Sequence, residues 1–150
     1  MRAVVQRVVS AQVSVDDVSV GSIGKGLLVL LGIATADGPA DIAWLSSKIA
    51  SLRIFPDSEG RLNLSVGECA GDILVVSQFT LIASTRKGNR PSFNAAAAPD
   101  AAQPLYEGFI QDMQTRLGRP VRTGKFGAMM AVALINDGPV TLVVDSRLRE

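Results

Sequence analysis

The chain has 150 residues, a net charge of +1, no histidine and one cysteine. A chain of this length typically forms one domain that buries enough surface to fold without a metal or a disulfide. The lack of histidine excludes a Ser-His-Asp triad, a Cys-His dyad and histidine-ligated zinc, and the single Cys69 excludes an internal disulfide. We therefore expect residues 1–150 to form a single domain, and an enzyme built from it must work without imidazole.

We do not expect the amino-terminal stretch to act as a targeting signal. Gln6 and Arg7 interrupt it before the apolar core of a signal peptide could form. The longest apolar runs, such as residues 26–34, are far too short to span a bilayer. From the sequence we expect a soluble, cytoplasmic protein with no membrane partner, and a lone cysteine fits a reducing compartment.

The first third of the chain is predicted to be mostly strand. Alternating hydrophobicity predicts a strand over residues 3–15, a turn at residues 16–17 and a return strand over Val18–Ile23. Residues 27–33 form a continuous apolar run, which is typical of a strand buried on both faces. The expected inward face of the first strand consists of Val5, Arg7, Val9, Ala11, Val13 and Val15.

Two amphipathic helices are predicted from apolar residues at helical spacing. The first covers residues 39–53, and the second covers residues 100–117. In the second helix, Asp100 is the expected N-cap, Gly118 the expected C-cap, and Pro104 fits the first turn. The expected inward side chains are Ile42, Leu45, Ile49 and Leu52 in the first helix and Leu105, Phe109, Ile110, Met113 and Leu117 in the second.

The remaining segments add strands and loops. Turns with short strands are expected over residues 54–65, and an apolar strand over residues 72–78. Residues 84–99 are polar, basic and irregular, which indicates a loop. Two further strands are predicted over residues 129–135 and 140–145. Together these elements predict one mixed α/β domain with more strand than helix.

Two features among these elements could carry chemistry, and each has a purely structural alternative. Arg7 lies on an apolar strand face, where a charge must be paired or hydrogen-bonded, unless the side chain reaches out to water. The polar sequence Ser77-Gln78-Phe79-Thr80 follows a buried strand, and α/β sheets bind ligands beyond such strand ends. The alternative for this sequence is an ordinary polar strand terminus.

A third feature is the sequence NDGPVT at residues 136–141. Asp-Gly between two strands is typical of a hairpin turn, which is the structural alternative. Proline is unusual beside a strand, because it cannot donate a ladder hydrogen bond. A Gly-Pro bond also permits a cis peptide.

The charged residues and the cysteine are less informative. Arg86, Lys87 and Arg90 form a cationic cluster within the predicted loop. Such clusters occur at nucleic-acid interfaces and equally on solvated loops, so charge alone leaves both open. Cys69 has no visible activating partner, and we assign it to packing.

Four sequence motifs resemble the D-aminoacyl-tRNA deacylase family. They are VQRV at residues 5–8, SQFTL at residues 77–81, RPSF at residues 90–93 and NDGPVT at residues 136–141. Ser-Gln-Phe-Thr and Asn-x-Gly-Pro-x-Thr are the two signatures of the family, and they stand here at about the family's separation. The resemblance extends from end to end and includes the chain length and the order of elements.

The resemblance implies a cytoplasmic, RNA-binding hydrolase of translation quality control that cleaves the ester bond of D-aminoacyl-tRNA. It implies a homodimer with a sandwich-like fold and an active site at the dimer interface, and we expect no metal and no cofactor. L-aminoacyl-tRNA would be rejected by a steric clash with backbone atoms. Because a clash cannot reject a residue without a side chain, glycyl-tRNA is expected to be cleaved as well.

The resemblance also assigns site residues. The bond between Gly138 and Pro139 would be cis and reach into the partner's pocket, and Arg7 would fix its orientation. The expected catalytic pocket residues are Ser77, Gln78, Phe79 and Thr80. The other expected substrate-binding residues are Met129, Asn136 and Thr141, and the expected RNA-binding residues are Arg86, Lys87, Arg90 and Phe93.

The expected mechanism relies on backbone groups. N–H groups near Phe79 and Thr80 could stabilise a developing oxyanion, and the Thr80 hydroxyl is expected to be a pocket wall because no base is available to activate it. Two other functions stay open: a non-catalytic tRNA- or nucleotide-binding module, and an oligomeric enzyme that acts on a metabolite at an interface. The first would bind without turnover, and the second would turn over without RNA.

Overall fold

A computed structural model describes residues 1–149. Its elements are β1 (Arg2–Val15), β2 (Val18–Ile23), β3 (Gly26–Gly32), α1 (Pro39–Ala50), β4 (Phe55–Pro56), β5 (Leu62–Leu64), β6 (Asp72–Ser77), a 3₁₀ turn (Phe79–Ile82), α2 (Pro99–Leu117), β7 (Arg122–Thr123) and β8 (Ala131–Asp145). This is the mixed α/β fold with two helices that the sequence predicts. Within the described residues, no helix is both long enough and apolar enough to cross a membrane.

One six-stranded sheet forms the body of the molecule. Its strands follow the order β2-β1-β3-β6-β7, and β8 also pairs with β1. β1 is antiparallel to β2, β3 and β8, whereas β6 is parallel to β3 and β7. The sheet curves until it nearly closes, which brings β2 against β7. Gly21 of β2 lies so close to β7 that a Cβ on Gly21 would collide with the carbonyl oxygen of Thr123.

The curved sheet separates two hydrophobic cores. Alternate residues of β3 and β6 point to opposite faces, so Val29 and Val75 join the core under the helices while Leu28 and Leu74 join the core inside the curve. β1 contributes to both cores because its pairing register shifts between Gln6 and Ser10. This shift reverses the alternation, so the prediction of an inward Val9 is wrong and its side chain is 52% exposed.

The two helices pack against each other and cover one face of the sheet. α1 ends at Ala50, three residues before the predicted end. α2 begins at Pro99 with an extended Ala98 before it, so the predicted Asp100 cap is wrong and Pro104 lies inside the helix. Proline favours the first helical position and keeps the preceding residue extended, which explains the earlier start. The predicted C-cap is confirmed, since Gly118 is left-handed with φ 70°.

The last two predicted strands do not form a hairpin. Both halves of β8 run along β1 in one direction, with Asn136 opposite Val8 and Thr141 opposite Gln6. Residues 137–140 therefore leave the ladder as a bulge instead of reversing the chain. Glycine suits this position, because Gly138 has a φ of 128°.

Tyr106 fastens α2 to the sheet. Its hydroxyl donates a hydrogen bond of 2.9 Å to the carbonyl oxygen of Val75, and the side chain is only 4% exposed. Burial raises the pKa of Tyr106 to about 12. The neutral phenol is thus the form that the fold stabilises.

We expect this tyrosine to make the protein sensitive to high pH. Its pKa is higher in the folded state, so its contribution is complete below the unfolded pKa of about 10 and is lost as the pH rises toward the folded value. The free energy of unfolding should fall there by up to roughly 1.4 kcal/mol per pH unit more steeply than in Tyr106→Phe. Urea denaturation of both proteins at alkaline pH measures the two slopes, and equal slopes would contradict the assignment.

Candidate active site

A cavity of about 740 Å³ opens where β6 ends. Three segments form most of its wall: residues 76–80 at the end of β6, residues 96–99 at the start of α2, and residues 126–130 before β8. The position follows from the topology, because β3 and β6 are parallel and end on the same side of the sheet. Ligand sites in α/β proteins commonly lie beyond such strand ends.

The 3₁₀ turn supplies the most polar part of this wall. The N–H of Gln78 donates to the carbonyl oxygen of Leu31 at 2.8 Å, and its side-chain amide donates to the hydroxyl of Thr80. The backbone N–H groups of Phe79 and Thr80 have no hydrogen-bond partner within residues 1–149, because they come first in the turn. Two adjacent free donors at a cavity wall are suited to hold an oxyanion.

An aromatic pair lies at the mouth of the cavity. The rings of Phe79 and Phe93 meet edge to face with centroids 5.0 Å apart. Phe93 follows a loop that is closed by two hydrogen bonds between the backbones of Ser84 and Ser92. The predicted loop of residues 84–99 is confirmed up to the start of α2, and its cations Arg86, Lys87 and Arg90 are all exposed.

The opposite wall contains Met129, whose side chain is 92% exposed. Most of this wall, residues 126–128, was not predicted from the sequence, and neither were the alanines at 96–98. Small and apolar side chains give no polar signal. The left-handed Gly127 and the packing of Phe126 on Tyr106, with ring centroids 5.5 Å apart, keep this wall in place.

A second cluster surrounds Arg7, which is buried at 7% exposure. Nη1 donates a hydrogen bond of 2.6 Å to the carbonyl oxygen of Ile54. Nε lies 2.9 Å from Oδ2 of Asp137, a close ion pair in which the N–H is not directed at the carboxylate. Arg7 is therefore a buried, paired charge beneath the bulge, and it does not reach out to water.

The bulge itself is held at its base by side-chain amides. Nδ2 of Asn136 donates to the carbonyl oxygens of Arg7 and Val140, at 2.9 and 3.0 Å. Thr141 donates to Oδ1 of Asn136 at 3.4 Å and accepts from the Gln6 amide at 3.2 Å. At the tip, the Gly138-Pro139 peptide bond is cis and both residues are exposed.

The structure thus divides the expected site residues into two groups. The cavity of one chain brings together Ser77, Gln78, Phe79, Thr80, Phe93 and Met129. The residues of the bulge region do not line that cavity: Arg7, Asn136, Gly138, Pro139 and Thr141. The cations of the loop lie near its mouth but outside the lining. Within residues 1–149, no three His, Cys, Asp or Glu side chains are grouped so as to hold a metal ion.

Comparison with known proteins identifies the family. The family model described as D-Tyr-tRNA(Tyr) deacylase matches residues 4–145. The chain belongs to this family. A protein of Opitutus terrae and one of Akkermansia muciniphila, both named D-aminoacyl-tRNA deacylase, are 65% and 56% identical to it over 100% of both chains.

Solved structures agree with the fold of this deacylase family member. A structure titled "c-Myc DNA Unwinding Element Binding Protein" matches with a TM-score of 0.91 and 40% identity, covering 97% of this chain and 98% of the other. One titled "probable eukaryotic D-amino acid tRNA deacylase" matches with a TM-score of 0.81 over 95% and 97% of the chains. At 22% identity the second likeness shows the fold alone. The family resemblance and the fold class stated from the sequence are confirmed.

Arg7 should contribute measurably to the stability of this deacylase family member. Arg7→Met leaves Asp137 without its counterion and Ile54 without its donor, so we expect a loss of about 2–3 kcal/mol in the free energy of unfolding. Arg61→Met is the matched control, because the exposed pair of Arg61 and Glu59 should be worth less than about 1 kcal/mol. Equal losses in the free energy of unfolding, measured by urea denaturation, would show that the buried pair stabilises the protein no more than the exposed pair does.

Proposed function

We propose that this protein hydrolyses the ester bond between tRNA and a D-amino acid or glycine, as a proofreading step of translation. The observation that carries the proposal is the pair of free N–H groups of Phe79 and Thr80 at the cavity wall, in a chain of the deacylase family. An activated ester needs little more than stabilisation of its oxyanion and a positioned water. The substrate and the enzymes that make it are cytoplasmic, so we also propose a cytoplasmic location.

The proposed reaction uses the two backbone donors at its central step. Water adds to the ester carbonyl carbon, and the carbonyl oxygen takes up negative charge opposite the N–H groups of Phe79 and Thr80. The bond to the ribose oxygen then breaks, and that oxygen leaves with the proton that the attacking water gives up. The vicinal ribose hydroxyl of the RNA positions the water. The Thr80 hydroxyl already accepts a hydrogen bond from Gln78, which fits a wall and not a nucleophile.

RNA recognition is proposed for the loop at the cavity mouth. Arg86, Lys87 and Arg90 are exposed on this loop, where they can approach phosphates. The exposed ring of Phe93 offers a surface on which a terminal base can stack. The chain's overall charge of only +1 makes this local cluster the principal attraction for an RNA end.

We propose that the protein acts as a homodimer in which the bulge of one chain completes the cavity of the other. Gly138 and Pro139 are exposed at the tip of the bulge, outside the cavity of their own chain. β8 pairs only with β1 among the described strands, so its outer edge is free. The exposed side chains of β8 include the large apolar residues Ile135 and Val143, which favours burial against a partner.

The same arrangement offers a physical basis for chirality. Backbone carbonyls of Gly138 and Pro139 would hold the α-amino group of the substrate at a fixed point. An L side chain would then meet the backbone, whereas a D side chain would point into open space. Rejection by a clash discriminates without requiring tight recognition of any one D side chain. Glycine passes this filter because it has no side chain.

Mixed dimers test whether the bulge acts across the interface. Ala97→Trp should fill the cavity, and Pro139→Ala should change the conformation of the bulge. Each variant alone should therefore lose most activity. Co-expressed in equal amounts, they should recover about a quarter of the wild-type rate, because half of the dimers are mixed and each contains one complete site. No recovery, with mixed dimers shown to form, would place the bulge's action within one chain.

Hydrolysis assays on three charged tRNAs test the activity itself. With a chelator present, we expect rapid loss of D-tyrosyl-tRNA and glycyl-tRNA and no enzymatic loss of L-tyrosyl-tRNA. Cleavage of both tyrosyl enantiomers would leave an esterase without a chiral filter. No cleavage of any ester by the folded protein would favour the binding-module function, and turnover of a D-tyrosyl alkyl ester as fast as that of the tRNA would favour a metabolite enzyme.

A further inference from the structure

Arg2 holds the 3₁₀ turn from outside the cavity. Its Nη1 donates a hydrogen bond of 3.0 Å to the carbonyl oxygen of Leu81, in the middle of the turn. Its Nε donates a hydrogen bond of 2.9 Å to Oδ2 of Asp145 at the end of β8. Arg2 does not line the cavity, so it has no direct route to the substrate.

We propose that Arg2, fixed by Asp145, is a positioning residue that sets the orientation of the Phe79 and Thr80 N–H groups by holding the carbonyl of Leu81. The proposal rests on the hydrolytic function proposed above, in which those two groups receive the oxyanion. It assigns a role in the reaction to a residue that lies on β1, far along the chain from both sequence signatures.

The turn has few internal contacts that fix the positions of its own peptide groups. It is four residues long and none of them is buried. Its backbone bonds are short-range, from Leu81 to Gln78 and from Ala83 to Thr80, at 3.2 and 3.1 Å. A short 3₁₀ segment with few buried contacts is free to shift by fractions of an ångström, which is the scale on which an oxyanion hole works.

Gly32 of β3 makes the close backbone contact against which Arg2 holds the turn. A Cβ at Gly32 would lie 2.9 Å from Cβ of Leu81 and 3.0 Å from the carbonyl oxygen of Gln78, so the turn rests directly on this backbone. Gly32 is also the residue paired with Arg2 in the ladder of β1 and β3. Gly32 and Arg2 therefore lie side by side on neighbouring strands.

Asp145 keeps the arginine in place. Its Oδ1 accepts the N–H groups of Arg147 and Leu148 at 2.9 and 3.3 Å, which leaves Oδ2 for Arg2. Burial raises the pKa of the Asp145 carboxyl, but the hydrogen bonds from Arg147, Arg2 and Leu148 outweigh it, and the pKa is lowered. The carboxylate is thus a fixed anion that directs the fork of the guanidinium toward the turn.

Kinetics of Arg2→Met test the proposal. The substitution keeps an unbranched apolar stem and removes the guanidinium that donates both hydrogen bonds. We expect kcat on D-tyrosyl-tRNA to fall by about 10-fold to 100-fold, since loss of a whole oxyanion donor costs about 100-fold to 1,000-fold. KM should change by less than about 3-fold, because the other cavity walls still bind the ground state. Arg2→Lys keeps one charged donor nitrogen in place of the guanidinium fork and should retain an intermediate kcat.

Two controls separate positioning from folding. Arg61→Met removes an exposed arginine with an ion pair that does not touch the turn, and it should keep the wild-type kcat. Backbone amide NMR shifts of Phe79 and Thr80 should move in Arg2→Met and not in Arg61→Met, which tests the geometry without any assay of turnover. Because Asp145 acts through Arg2, adding Asp145→Asn to Arg2→Met should cause no further loss of kcat.

The outcomes are distinct for the two proposals. A wild-type protein that does not cleave D-aminoacyl-tRNA would overturn the proposed function, and with it the reaction that Arg2 is said to serve. An active wild type with an unchanged kcat in Arg2→Met would overturn the role of Arg2 alone. A fall in activity that merely follows a fall in melting temperature, with unmoved Phe79 and Thr80 amides below that temperature, would also overturn it.

Discussion

The full-length pairing of β8 with β1 is the interaction on which the other features depend. Between the pairs Gln6–Thr141 and Val8–Asn136, one residue of β1 faces four residues of β8. The surplus residues must leave the sheet, and they do so as the bulge that presents Gly138 and Pro139. The single residue opposite them is Arg7, so its guanidinium lies beneath the bulge and meets Asp137 there. The buried charge of Arg7 and the exposed bulge therefore both follow from the extra residues that β8 has over β1 in this interval.

Much of the fold was predictable because local patterns determined it. The apolar runs of β3 and β6 and the amphipathic faces of α1 and α2 arise from burial, which the sequence expresses directly. The error at β8 has a different origin. Asp137 and Gly138 suit a hairpin turn as well as a bulge, and the choice is made by the pairing with β1, some 130 residues earlier in the chain. A bulge on β1 likewise turned Val9 outward against its pattern.

The site was predictable only where motifs mark it. Residues 77–80 and 136–141 were assigned to the site from signatures of the family, and in the structure one chain keeps these two groups apart. The alanine wall at residues 96–98 and the segment 126–128 could not be found, because small apolar side chains look the same in a core and in a cavity. The role proposed for Arg2 was equally hidden, since it depends on a contact with a carbonyl 79 residues away.

The cavity wall contains no side chain that changes charge near neutral pH: its polar groups are a serine, a glutamine, a threonine and the backbone. Main-chain amides do not titrate in water, and the chain has no histidine to do so. In the proposed reaction, this wall therefore supplies no acid or base whose protonation would define a pH optimum. If the proposed reaction is correct, we expect the dependence of its rate on pH across the physiological range to come from the substrate, through its α-amino group and the nucleophilicity of water. The wall of the proposed site would then act only through fixed dipoles.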